Sequence, residues 1–120
     1  MFQRRNVSAL LPLKPVELEL LLALVPEERH GYGLVQQIAD QTDGLIRLEP
    51  GNLYRVIKRL VAAGLVQESS RHAAAEGDER RRYYRLTVHG ARVADAELHR
   101  LRTLLTRRPA RTLSRKLRPT

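Results

Sequence analysis

Apolar positions follow helical spacing in three consecutive stretches near the start of the 120-residue chain. The first predicted helix runs from about Pro15 to Val25, because proline suits the first helical position and Pro26 stops the helix. A second helix opens at Gly31 and ends at Asp43–Gly44. The third runs from Pro50 to Gly64, with leucine, valine and isoleucine at steps of three and four residues. The pattern therefore predicts three helices in series, the first of them apolar nearly all round.

The spacing changes to that of short strands after the third helix. Residues 65–69 and 81–86, joined by a small-to-polar loop, are typical of a loosely closed hairpin. Alternation places Tyr84 and Leu86 on one face of the second strand, where we expect them to pack inward, and Arg85 on the other face. The fold class predicted is mainly α with a small β-hairpin.

A long final helix is predicted from Val88 to Thr106, with Thr87 as its N-cap. One face repeats apolar residues at steps of four, three and four, the spacing of a coiled-coil seam: Ala94, Leu98, Leu101 and Leu105. Packing within one chain and contact between two copies both fit this seam; we expect it to form a dimer contact together with Leu21. Residues 107–120 hold six basic and no acidic side chains with two prolines, so we expect a disordered tail.

The charge balance points to a polyanionic partner. The net charge is +9 and the pI about 11.0, and residues 61–120 hold 14 basic and 6 acidic side chains against 8 and 7 in residues 1–60. Nucleic acid and an acidic membrane surface both complement such a balance. The longest apolar run, Leu20 to Val25, is far below the roughly 20 residues that a membrane span needs, and no cleavable signal is evident. We therefore expect a cytoplasmic protein with no membrane partner.

Metal and cofactor chemistry has no support in the residue pattern. The chain has no cysteine, and the four histidines lack metal-ligand spacing, so surface or helix-capping roles are expected for them. No cofactor is expected, and no nucleophile with a nearby base, phosphate loop or metal cluster suggests an enzyme.

The polar face of the third predicted helix suits a DNA groove. Asn52 and Arg55 lie in its first turn, where we expect them to read base edges, while Lys58 and Arg59 lie farther along, where we expect them to meet phosphates. A merely solvated helix face is the alternative for such residues.

Two tyrosines and three arginines extend this hypothesis. Tyr32 and Tyr54 stand near helix starts, where a phenol can bind a phosphate oxygen, although half-buried packing is the alternative. At the hairpin we expect contacts with the minor groove or its phosphates from Arg80, Arg81 and Arg82, although Asp78 and Glu79 can pair with them.

Several sequence blocks resemble those of the PadR family of bacterial transcriptional regulators, in the usual order and spacing over roughly residues 15–105. They are His30-Gly31-Tyr32-Gly33, Pro50-Gly51-Asn52-Leu53-Tyr54, Arg59-Leu60, Gly64-Leu65-Val66, and Arg82-Tyr83-Tyr84-Arg85-Leu86-Thr87 with Gly90. The resemblance implies a homodimeric winged helix-turn-helix protein, most often a repressor, that binds double-stranded DNA at a palindromic operator. Its C-terminal helix makes much of the dimer contact, and many relatives release DNA when a small-molecule effector binds.

The expected organisation is an N-terminal arm over residues 1–14, a winged helix-turn-helix over 15–87, a dimerisation helix over 88–106 and the tail. The short C-terminal region resembles the subfamily with a single terminal helix. Many relatives have other residues where Glu49, Asn52 and Arg55 stand, so the operator sequence does not carry over. The alternative function is a winged-helix module that binds a protein or effector without DNA.

Overall fold

The computed structural model of the chain describes residues 7–69 and 82–119. The helices are α1 Pro15–Ala23, α2 Gly31–Gln41, α3 Pro50–Ala62, α4 Val88–Thr106 and α5 Arg108–Leu117, and residues 7–9 are also helical. The strands are β1 Arg29–His30, β2 Val66–Glu68 and β3 Tyr83–Leu86. The fold is mainly α with a small antiparallel sheet, as the apolar pattern predicts. No helix in the described part of the chain is long and apolar enough to cross a bilayer.

The helices begin where the sequence carries capping residues. Pro15 and Pro50 occupy the first positions of α1 and α3, where a missing N–H costs nothing. At α2 the cap is His30, whose Nδ1 accepts a 3.0 Å hydrogen bond from the Gly33 N–H. This confirms a capping role for His30.

The sheet has three strands rather than the two that were expected. Its order is β1-β3-β2, with both neighbours antiparallel to the central β3. Tyr84 is buried on β3, Leu86 packs against the core and Arg85 is exposed, which confirms the predicted alternation. The two residues of β1 were not predicted as a strand, because a strand this short has no alternation to reveal it. It extends the sheet by pairing His30 with Tyr83.

The hydrophobic core surrounds α1. The largest fully buried apolar side chains come from α1 to α4 and from the start of β2: Leu20, Leu21, Leu34, Ile38, Leu53, Leu65, Val66 and Val93. Leu21 is 0% and Ala94 3% exposed within this single chain, so its own core already covers both side chains that were expected to contact a second copy. The all-round apolar character of α1 instead reflects its position between α2 and α4.

A tight turn orients α3 relative to α2. Thr42 Oγ1 donates to Ile38 O at 2.8 Å and accepts from the Ile46 N–H at 3.0 Å, so one hydroxyl ties the end of α2 to the following segment. Gly44 adopts a φ of 81°, which glycine tolerates because it has no Cβ. The segment that leads to α3 is thereby held against the end of α2.

The expectation of disorder after residue 106 is wrong for residues 108–117. Arg107 is extended, with φ −71° and ψ 151°, and α5 begins at the next residue, so two helices follow the sheet instead of one. High charge with few apolar residues suggested disorder, but alanine, leucine, arginine and lysine are good helix formers. Ala110, Leu113 and Leu117 also share one face of the segment, a helical signal that the charge count obscured.

Candidate nucleic-acid interface

One face of α3 holds the helix to the core and the opposite face is open to solvent. The packed side chains are each 6% exposed or less: Leu53, Val56, Ile57 and Leu60. Asn52, Arg55 and Lys58 are exposed. Within residues 7–69 and 82–119, none of these three side chains forms a hydrogen bond or ion pair. We call these three residues the α3 polar face; their donors are available to an external partner.

Arg59 differs from its neighbours on α3. Its Nη2 and Nε lie 3.2 and 3.3 Å from Oε2 of Glu17 on α1, and the Arg59 side chain is 43% exposed. Glu17 also caps α1 by accepting from the Lys14 N–H at 2.8 Å. The guanidinium expected to meet phosphate is thus paired at the surface with a carboxylate of its own chain. A partner 42 residues away leaves no periodic signal, so the sequence could not reveal this pair.

The two tyrosines flank an apolar cleft between the starts of α2 and α3. Tyr54 is half-buried against Gly31, so closely that a methyl group at residue 31 would stand 2.6 Å from Tyr54 Oη. Tyr32 is 65% exposed, and its Oη accepts a 3.1 Å hydrogen bond from Gln36 Nε2. The cleft measures about 380 Å³ and is lined by Gly31, Tyr32, Val35, Pro50, Leu53 and Tyr54. Tyr54 therefore has a packing role whether or not it contacts DNA.

A second groove runs between α3 and the sheet. It also measures about 380 Å³, and Lys58 and Arg82 line it with Glu68 and the rings of Tyr54 and Tyr84. Arg82 Nη1 lies 3.4 Å from Glu68 Oε2, with both side chains close to half exposed. Such an exposed pair contributes only about 0–1 kcal/mol, so a phosphate can displace the carboxylate. Two other arginines expected at this hairpin, Arg80 and Arg81, lie outside the described residues.

The second half of α4 carries the exposed part of the predicted seam. Leu98 and Leu104 are each 37% exposed and Leu105 is 69% exposed, while Leu101 is half-buried against the core. With Ala94 inside the core, the leucines available to a second copy lie toward the end of α4, next to α5.

Glu97 is a buried carboxylate that sequence reasoning missed. It is 2% exposed, accepts from the Leu13 N–H at 3.1 Å, and receives Arg100 Nε and Nη2 at 2.6 and 2.9 Å. The hydrogen bond from Arg100 lowers the pKa of Glu97 more than burial raises it, and the Leu13 N–H lowers it further. Glu97 is three residues after Ala94 and four before Leu101, which places it on the apolar face of α4. That spacing was the sequence signal from which the burial of Glu97 could have been predicted.

In the described ranges, no group of three or more histidine, aspartate or glutamate side chains is arranged to hold a metal ion. The exposed chemistry at α3 and the adjoining groove is that of amide, ammonium and guanidinium donors, which suits phosphates and base edges.

Three helices packed with a small antiparallel sheet, with the polar face of the third helix exposed, define a winged helix-turn-helix protein. The chain belongs to the PadR-like family of transcriptional regulators, since the model of the Transcriptional regulator PadR-like family matches residues 20–96, more than half of its length. It is therefore a DNA-binding regulator of transcription rather than an enzyme.

Solved structures with the same fold include PadR regulators. A PadR family transcriptional regulator from Eggerthella lenta is 31% identical, with a TM-score of 0.56 over 71% of this chain and 72% of that chain. A PadR family regulator from Clostridium difficile is 18% identical, with a TM-score of 0.64 over 86% and 97% of the two chains. A transcriptional regulator from Clostridium thermocellum is 21% identical, with a TM-score of 0.65 over 86% and 93%. Among curated proteins, none matches the chain significantly.

Proposed function

We propose that the protein is a sequence-specific repressor that binds a palindromic operator as a cytoplasmic homodimer. The observation that carries this proposal is the α3 polar face: Asn52, Arg55 and Lys58 point to solvent without a partner among the described residues. A partner without hydrogen-bond acceptors would bury these charged and amide donors unpaired, which is costly. The face therefore suits a partner that supplies acceptors. The edges and phosphates of duplex DNA supply them.

Each residue of this surface has a distinct role in the proposed complex. Asn52 and Arg55, near the N-terminus of α3, read base edges in the major groove, Asn suiting adenine and Arg suiting guanine. Lys58 and Arg82, on opposite sides of the groove beside the sheet, neutralise phosphates. Arg80 and Arg81 extend the same contacts along the backbone. Tyr32 and Tyr54 add phenol donors to phosphate oxygens at the starts of their helices.

Dimerisation through the end of α4 gives the pair of reading helices that a palindrome requires. Half-sites of a helix-turn-helix dimer lie one helical turn apart, about 34 Å. Leu98, Leu104 and Leu105 are the exposed apolar residues that two copies can cover, and Leu101 lies beside them. A dimer bound in this way represses by excluding other proteins from the operator.

A small-molecule effector is proposed to release the DNA. The apolar cleft beside Tyr32 and Tyr54 has a volume in the lower range of ligand pockets, and it adjoins the start of α3. A ligand there would displace Tyr54 and disturb the α3 surface. A titration with aromatic acids should lower operator affinity in the natural protein and have less effect on Val35→Trp, in which the cleft is filled.

Selection of bound duplexes from a random pool tests the central proposal. The protein should enrich a palindrome, and changing single base pairs in it should cost about 1–3 kcal/mol at the positions that are read. Asn52→Ala and Arg55→Ala should each lose discrimination at particular base pairs. Lys58→Ala should weaken all sequences alike and reduce the salt slope by about 0.9. Enrichment of no sequence at all would refute the proposal.

A further inference from the structure

Helix α5 and its flanking residues carry a high density of positive charge outside the winged-helix domain. Residues 107–118 carry six arginine or lysine side chains and no acidic one. All six are exposed, and no ion pair or side-chain hydrogen bond joins them to any other residue in 7–69 or 82–119. So many like charges on a short segment repel each other, and an external polyanion relieves this repulsion.

Four of the six charged side chains lie along one side of the helix. Arg108, Arg111 and Arg115 are three and four residues apart, and Arg118 caps the helix three residues later. The line they form is about 15 Å long at 1.5 Å per residue. One strand of duplex DNA presents a phosphate about every 3.4 Å along its axis, so this line matches about four phosphates.

We infer that α5 is a second DNA-binding element, which contacts the phosphate backbone of the duplex flanking the operator. This inference rests on the proposed function, because it requires a duplex already held by α3. Arginine meets phosphate oxygens without reading bases, so the contact is independent of sequence. Since α5 is covalently joined to the chain that grips the operator, its contact is intramolecular and benefits from a high effective concentration.

The opposite side of α5 favours DNA over an acidic membrane as the partner. Its large apolar side chains are only Leu113 and Leu117, 59% and 73% exposed, and the helix contains no aromatic residue. Helices that lie in a bilayer interface insert a broad apolar face, commonly with tryptophan or phenylalanine. Two leucines on a 10-residue helix provide little area to insert, whereas the arginine line is well formed.

The test compares two duplexes and three forms of the full-length protein. One duplex contains only the selected operator, and the other carries 10 further base pairs of arbitrary sequence on each side. The variants are the triple substitution Arg111→Gln, Arg115→Gln and Arg118→Gln, and a control with lysine at the same three positions. Fluorescence anisotropy gives the affinity across a series of salt concentrations, and circular dichroism checks that helix content is unchanged.

The natural protein should bind the long duplex more tightly than the short one and with a steeper salt slope. The glutamine variant should lose this advantage, its slope on the long duplex falling by about 0.9 for each phosphate contact removed, up to about 2.7 for three. The lysine control should retain most of it, because the charge remains.

Equal binding of the long duplex by the natural and glutamine proteins would overturn the inference while leaving the proposed function intact. The same three proteins are also sedimented with phosphatidylserine vesicles. If the glutamine variant lost vesicle binding while its DNA binding was unchanged, a membrane would be the partner of α5 and the inference would again be overturned. If the natural protein bound neither duplex, the proposed function itself would fail, and the inference with it.

Discussion

The hydroxyl of Thr87 donates a 2.6 Å hydrogen bond to the carbonyl of Gly64 and so joins the start of α4 to the end of α3. The same oxygen accepts from the Gly90 N–H at 2.9 Å and caps α4. One side chain therefore links the helix proposed to read DNA with the helix proposed to dimerise.

Replacing Thr87 by valine should reduce the free energy of unfolding by about 1–2 kcal/mol, since both the cap and the bond to Gly64 are lost. Thr87→Ser keeps the hydroxyl and should be close to the natural protein. Chemical denaturation measures both. A valine variant as stable as the serine variant would mean that the hydroxyl contributes nothing.

Glycine at position 31 should matter for the placement of Tyr54. Gly31→Ala puts a methyl group against Tyr54 Oη and should displace the ring, lowering operator affinity several-fold with a stability loss of about 1 kcal/mol. Adding Tyr54→Phe, which removes that oxygen, should restore part of the stability.

The matched control is Gly51→Ala in the first turn of α3. Apart from the adjoining residues and the backbone of α3 itself, no atom lies within 4 Å of the added methyl group, so stability should stay the same or rise by about 0.5–1 kcal/mol. If both glycine variants lost stability equally, the contact between Gly31 and Tyr54 would not be the cause.

Substitutions of Arg55 and Arg59 should have different effects on operator affinity, although the two residues are only one helical turn apart. Arg55→Gln removes a guanidinium with no partner among the described residues and should weaken operator binding by about 1–3 kcal/mol. Arg59→Gln breaks the pair with Glu17, which should cost less than about 1 kcal/mol of stability and little affinity. Anisotropy and thermal unfolding measure the two effects. A larger affinity loss for Arg59→Gln would show that Glu17 releases it on binding DNA.

The stability of the protein should depend on Glu97 in a pH-dependent way. Because the pKa of folded Glu97 lies below its ordinary value of 4.5, the carboxylate stabilises the fold above that value. The contribution is lost as pH falls through the lowered pKa. Glu97→Gln should therefore be destabilised at pH 7 by about 1–3 kcal/mol, with the difference shrinking toward pH 3. A constant difference between natural protein and variant across this range would contradict the assignment.

Leu105→Glu should weaken the proposed dimer without unfolding the chain, because the side chain is 69% exposed. Val88→Glu provides a matched control, since Val88 is also 69% exposed and lies at the other end of α4. Sedimentation velocity should show dissociation for the leucine variant alone. Dissociation of both variants, or of neither, would argue against the end of α4 as the contact.

Local signals predicted most of the fold, and long-range contacts account for what was missed. Prolines at 15 and 50 and the cap at Thr87 marked helix starts correctly, because capping depends on neighbouring residues alone. The pairing of Arg59 with Glu17 and the bond from Leu13 to Glu97 join residues 42 and 84 positions apart. The helical pattern correctly predicted that Asn52 and Arg55 are exposed. The burial of Leu21 within its own chain could not be predicted in this way, because it depends on the elements that pack around α1.

Arg107 separates α4 from α5 by a single extended residue, and this makes the direction of the arginine line adjustable. An α-helix turns about 100° per residue, so an insertion within α4 would rotate its leucines out of register. An insertion at Arg107 would re-aim α5 and leave those leucines in place. If α5 binds flanking DNA as proposed, changes at this junction would tune nonspecific affinity, by natural variation or by design, independently of operator choice.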